Sequence, residues 1–164
     1  MHANQGFLLI SSPVKFSDQF LSNQTNEFAG KRVLKSQPAK SSESKGHALV
    51  VDDAADVTEM LSVLLMHAGW EVVTAESAPA ALAATRAEQF DIIISDIGMP
   101  VMNGYELART LRTQPGYERV PMVAVTGYSM YDDRERSLAA GFNAHLTKPI
   151  EPHVLLDLIE NLRN

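Results

Sequence analysis

Cysteine is absent from this 164-residue sequence. That excludes a disulfide framework, a thiolate zinc site and a cysteine nucleophile, and it fits a reducing compartment. Long hydrophobic runs are missing too: nothing approaches the ~20 apolar residues that cross a bilayer. The N-terminus offers only FLLI at 7–10, with no Lys or Arg before it, too short and too uncharged for a signal peptide. The expectation is a cytoplasmic protein with no membrane partner. Neither GxxxxGK[ST] nor GxGxxG occurs. The five histidines, His2, His47, His67, His145 and His153, show no metal-ligand spacing.

Positive charge is scarce where the fold is expected. Residues 1–46 carry six Lys/Arg against three Asp/Glu, whereas residues 47–164 carry eight against seventeen. So acidic a body is a poor surface for a phosphate backbone, and no nucleic-acid partner is expected. It is suited instead to a site that collects a divalent cation.

What is present is enough for one domain: 45% hydrophobic and 21% charged residues, a globular balance. Residues 1–46 stand apart, rich in Ser, Gln, Asn and Lys and ending in the linker-like KSQPAKSSESKG. They are expected to be a disordered extension, with Phe7, Phe16, Phe20 and Phe28 leaving room for a short docking segment. The domain is expected over 47–164.

Five short apolar runs follow, at 48–51, 71–74, 91–95, 121–125 and 144–147. Three are rich in Val and Ile, as buried parallel strands are. Helical patterns separate them. Val57, Met60, Leu61, Leu64 and Leu65 form one apolar stripe, closed by Gly69, and Val154, Leu155, Leu158, Ile159 and Leu162 form another, opened by Pro152. Ser77 precedes an Ala-rich helix with Pro79 in its first turn. Asn103 with Glu106, and Ser129 with Asp132, have capping-box spacing. Strands alternating with helices predict an α/β fold, a doubly wound five-stranded parallel sheet. Ligands of such sheets bind beyond the carboxyl ends of the strands.

Those ends carry Asp52 and Asp53, Asp96, Thr126, and Lys148 followed by Pro149. Converged, three carboxylates repel one another unless a cation intervenes, and oxygen-only ligands select Mg2+. A metal and a lysine are recurring parts of phosphoryl transfer, and a carboxylate can be its nucleophile. Taken singly, each residue has an ordinary reading: Asp53 as a helix N-cap, Asp96 as a turn residue, Thr126 as a loop hydroxyl, Lys148 as a solvated charge. Four strand ends offering complementary chemistry favour the site.

LVVDD (49–53), IIISDIGMPVMNGYEL (92–107), VAVTGY (123–128) and HLTKPI (145–150) resemble the signature blocks of response-regulator receiver domains. The resemblance covers roughly 47–164 and is close to stand-alone, chemotaxis-type receivers or those of hybrid kinases. It implies a flavodoxin-like sheet of order 2-1-3-4-5. It implies Asp96 as phosphoacceptor, and Mg2+ held by Asp52, Asp53, Asp96 and the Gly98 carbonyl. It further implies Lys148 bridging to the phosphoryl, a cis Lys148–Pro149 bond and Thr126 as switch hydroxyl. The partner switch position, usually Tyr or Phe, is His145. Gly98 and Tyr128 fall where the family tunes hydrolysis. The implied role is a switch that catalyses only its own phosphorylation and dephosphorylation. Its implied partners are a sensor histidine kinase or histidine phosphotransfer protein and a downstream effector. The effector would read the fourth helix, fifth strand and fifth helix, with Tyr131, Arg134, His145 and His153 in that face. Monomer and phosphorylation-dependent dimer both stay open.

Rival readings lack their signatures. A flavodoxin-like nucleotide or flavin binder needs a phosphate-cradling loop where two aspartates stand. A haloacid-dehalogenase-type hydrolase needs an aspartate at 98, which is Gly98. A receiver that is never phosphorylated and serves as an interaction module is the remaining alternative.

Overall fold

The computed structural model describes residues 44–127 and 133–164. Ten elements alternate strictly: β1 His47–Val51, α1 Ala55–His67, β2 Glu71–Ala75, α2 Ala78–Ala87, β3 Ile92–Asp96, α3 Gly104–Arg112, β4 Met122–Thr126, α4 Asp133–Ala140, β5 Ala144–Thr147 and α5 Pro152–Arg163. The five strands form one parallel sheet in the order β2-β1-β3-β4-β5. The sequence places every strand to within a residue or two. Asp96 and Thr126 are the last residues of their strands rather than the first beyond them.

Side chains on alternate strand positions divide the interior into two layers. On one face Leu49, Val51, Ile93 and Ala124 pack with α2, α3 and α4 through Ala81, Leu82, Leu107, Leu111 and Ala140. On the other, Ala48, Val50, Ile92, Ile94, Val123 and Val125 pack with α1 and α5 through Leu61, Leu65, Leu155 and Ile159. Burial on both faces is why β1, β3 and β4 read as unbroken apolar runs instead of alternating ones.

Helix ends follow their signals, and one position inside α1 is corrected. Ser77 Oγ accepts from the Ala80 amide, and Asn103 and Glu106 form a complete capping box. Gly69, at φ +95°, follows the C-cap Ala68 in the left-handed conformation that glycine adopts freely. Asp53, however, does not cap α1. The N-cap is Ala54, with no side-chain bond, and Asp52 Oδ1 takes the Ala54 amide at 2.9 Å. Met60, expected in the buried stripe, is 50% exposed; Leu61 and Leu65 carry the packing of α1. The capping pair Ser129 and Asp132, and also Tyr128 and Tyr131, lie outside the described residues.

Lys45 and Gly46, which the sequence grouped with the extension, bond to the domain. The Lys45 amide donates to Gly69 O at 2.8 Å, and Gly46 O accepts from the Glu71 amide at 3.0 Å. Residues 1–43 of the extension lie outside the described part. Among the described residues no helix is long and apolar enough to cross a membrane.

Candidate functional site

The chain runs from β1 out to β2, then back across β1 to β3. The carboxyl ends of β1 and β3 therefore flank the switch point where open α/β sheets bind ligands. Backbone bonds close this edge. The Ile97 amide donates to Val125 O at 3.0 Å, and the Lys148 amide to Thr126 O at 2.8 Å. The ends of β3, β4 and β5 are thereby tied into one rim. Pro149 follows a cis peptide bond, as the resemblance implies.

Asp52, Asp96 and Thr126 are all buried at the rim, with 2%, 6% and 5% exposure. The Lys148 ammonium lies between the two carboxylates, 2.7 Å from Asp52 Oδ2 and 2.9 Å from Asp96 Oδ1. Burial alone would lower the Lys148 pKa. Hydrogen bonds to both aspartates and the attraction of their charges outweigh it, so the net direction is up and the lysine stays charged. One ammonium cannot balance the two charges of the buried pair, and Asp53, next to Asp52 in sequence, adds a solvent-exposed carboxylate.

The loop after β3 is shaped around Asp96. Gly98 sits against its carboxylate: a Cβ there would lie 3.3 Å from Asp96 Oδ2, the oxygen that Lys148 does not hold. Gly104, the first residue of α3, is closer still. A Cβ at 104 would meet Asp96 O at 2.3 Å and Ile97 Cα at 2.9 Å. Val101 between them is 98% exposed at φ +69°, a conformation that strains a β-branched residue.

Do these residues suit Mg2+? Among the described residues no three His, Cys, Asp or Glu side chains cluster as a preformed metal cage. Lys148 and the Ala54 amide engage both oxygens of Asp52, and Asp53 is exposed. Mg2+ does not require such a cage; it keeps several waters and takes one or two carboxylates. Asp96 Oδ2, the Asp53 carboxylate and the Gly98 carbonyl are all hard oxygen donors at this rim, and the uncompensated negative charge favours a divalent cation. The donor set fits.

His145 pairs with Ala124 across the β4–β5 ladder, so its side chain and that of Thr126 share the sheet face covered by α2, α3 and α4. Its Nδ1 is 2.9 Å from Ser137 Oγ on α4. Arg134, Leu138, His145, Val154 and Leu158 line a groove between α4, β5 and α5, and His153 is exposed nearby with Glu151. The sequence reading missed Tyr105, Asp133, Ser137 and Gly104. Gly104 could have been suspected, because a glycine opening a helix beside a site often marks close backbone approach. The others carried no local signal.

The family model for the response regulator receiver domain matches residues 48–160. The response regulator protein FleR of Pseudomonas aeruginosa is 37% identical over 111 residues, covering 68% of this chain but only 23% of FleR. Among solved structures, the chemotaxis response regulator CheY4 of Vibrio cholerae is 35% identical with a TM-score of 0.67, covering 71% of this chain and 97% of that one. The receiver domain of the P. aeruginosa sensor histidine kinase PA1611, solved with magnesium coordinated in its active-site cleft, is 28% identical with a TM-score of 0.67. The match covers 72% of this chain and 97% of that one.

Proposed function

Because the chain belongs to the response regulator receiver domain family, we propose that it is a phosphoacceptor switch whose acceptor is Asp96, served by Mg2+, Lys148 and Thr126. The observation that carries this reading is the single Lys148 ammonium spanning Asp52 and Asp96 at the switch point of the sheet.

An Asp96 carboxylate oxygen forms a bond to phosphorus as the phosphorus–nitrogen bond of a phosphohistidine breaks. The imidazole leaves with the electron pair and takes up a proton from solvent. Asp96 is rigidly presented: β3 holds its backbone, Gly104 packs on its carbonyl, and Lys148 orients one carboxylate oxygen, leaving the other toward Gly98. Lys148 then meets the arriving phosphoryl oxygens, and the Thr126 hydroxyl donates to one of them. Asp96, Asp53 and the Gly98 carbonyl would hold Mg2+ with waters, and Asp52 would support it. Bound there, the ion would supply charge neutralisation for the transferring group. Charge-assisted hydrogen bonds of ~1.5–3 kcal/mol each are of the size a two-state switch requires, since a shift from 1:99 to 99:1 takes about 5.5 kcal/mol.

The donor is a sensor histidine kinase or a histidine phosphotransfer protein. The reader is a separate effector, engaging the α4–β5–α5 groove that contains Arg134, with exposed His153 beside it. The protein acts on no other substrate, works in the cytoplasm, needs neither nucleic acid nor membrane, and is a monomer or dimerises when phosphorylated. Residues 47–164 form the receiver, with Lys45 and Gly46 before it bonded to the domain.

Intact-protein mass after incubation with Mg2+ and acetyl phosphate tests the reading. Wild type should gain one phosphoryl group, ~80 Da, and Asp96→Asn or omission of Mg2+ should abolish the gain. A Mg2+-binding protein that gains no mass from this donor or from phosphohistidine proteins would instead be an unphosphorylated interaction module.

A further inference from the structure

α4 is docked unlike the other helices. Its buried residues are Asp133, Ser137 and Ala140, two polar side chains and one methyl, while Leu138 stays 46% exposed. Burial of apolar area is what ordinarily fixes a helix on a sheet, and here little of it is available. Hydrogen bonds take its place. From α3, the Tyr105 hydroxyl donates to Asp133 Oδ1 at 3.2 Å, and the Arg136 guanidinium lies 5.1 Å over the Tyr105 ring. Burial, then the neighbouring Asp133 charge, pushes the Tyr105 pKa up and keeps its proton in place. From β5, His145 Nδ1 meets Ser137 Oγ at 2.9 Å. Ser137 Oγ donates to Asp133 O at 2.6 Å. A hydroxyl has one proton, so His145 Nδ1 must carry the proton of the His145–Ser137 bond. The chain of donation runs His145 to Ser137 to the Asp133 carbonyl, with Tyr105 closing on the same residue from the other side.

We propose that Tyr105, Asp133, Ser137 and His145 form a polar latch that holds α4 against α3 and β5 in the resting protein, and that phosphorylation of Asp96 opens it. The second half rests on the phosphoacceptor reading above. The route is short. His145 lies on the same sheet face as Thr126, one alternation back along the β4–β5 ladder, and Thr126 is joined to α4 by only a brief connection. Hydrogen bonds lose their strength within fractions of an ångström of misalignment, whereas an apolar contact slides. A small displacement at the end of β4 therefore releases α4 abruptly.

Hydrogen exchange on the full chain, followed by mass spectrometry, tests the latch in Tyr105→Phe and Ser137→Ala. Each removes one hydroxyl and little volume. Amides 134–140 should exchange about tenfold faster, the effect of losing one hydrogen bond, while α1, α2 and α5 keep wild-type protection. Unchanged α4 exchange, or acceleration spread evenly over the domain, would overturn the latch. In a second arm, wild type treated with Mg2+ and acetyl phosphate should show α4 exchange rising toward that of Ser137→Ala, and Asp96→Asn should not. A phosphoryl mass gain without any α4 change overturns the coupling. Failure to gain mass counts against Asp96 as acceptor, and the variants still decide the latch.

Discussion

Asp96 is held by what surrounds it. Lys148 compensates part of its charge, Gly98 leaves one carboxylate oxygen approachable, and Gly104 lets α3 start directly on its carbonyl. The last of these is the least forgiving. A methyl group at 104 would stand 2.3 Å from a backbone oxygen, which cannot rotate away as a side chain can. Gly104→Ala should therefore destabilise the protein by about 1–3 kcal/mol, the usual range for overpacking, although alanine is the better helix former by up to about 1 kcal/mol. Urea unfolding of the variant checks the sign. A variant as stable as wild type would mean that α3 can back away from Asp96 at little cost.

At the scale of elements, docking divides into apolar and polar kinds. The apolar kind was legible. The stripes on α1 and α5 and the Val/Ile runs of β1, β3 and β4 announce themselves through periodicity, and the acids, threonine and lysine fall at strand ends because the runs stop there. Met60 misled because it completes the stripe in sequence while half exposed in space. The polar kind was illegible. Arg112, on α3, donates to Gly141 O, Tyr117 O, Val120 O and Asn143 Oδ1, bracketing the connections on either side of β4 and α4. The α4 latch likewise joins residues 105, 133, 137 and 145. Contacts between such distant positions leave no period to detect.

The pairing of α4 with β5 has a pH signature. Burial, the first cause, holds the His145 pKa below the usual range; Asp133 draws it up and Arg134 pushes it down, with the net direction downward. The folded protein therefore takes the proton less readily than the unfolded chain does. The associated stability is fully present above the unfolded histidine value of about 6.5 and is lost as pH falls through the lower folded value. His145→Phe should lose less stability than wild type between about pH 7.5 and 5.5, measured as the shift in urea midpoint. Equal shifts would show that α4–β5 docking does not sense this proton.

For the molecule as a whole, the sheet is as much a divider as a scaffold. Leu111 lies in the layer with α2 and α4, Ile159 in the layer with α1, and five hydrogen-bonded strands stand between them. Leu111→Ala should lose about 2–5 kcal/mol and Ile159→Val about 0.5–1.5. Sites with no shared partners add to within about 0.5 kcal/mol, so the double variant should show the plain sum; a larger discrepancy would mean that strain crosses the strands. Additivity of this kind bears on how such a protein diversifies. Substitutions can accumulate in one layer without retuning the other, so the surface built on α1 can drift toward a new molecular acquaintance while the α2–α3–α4 side keeps its inherited arrangement.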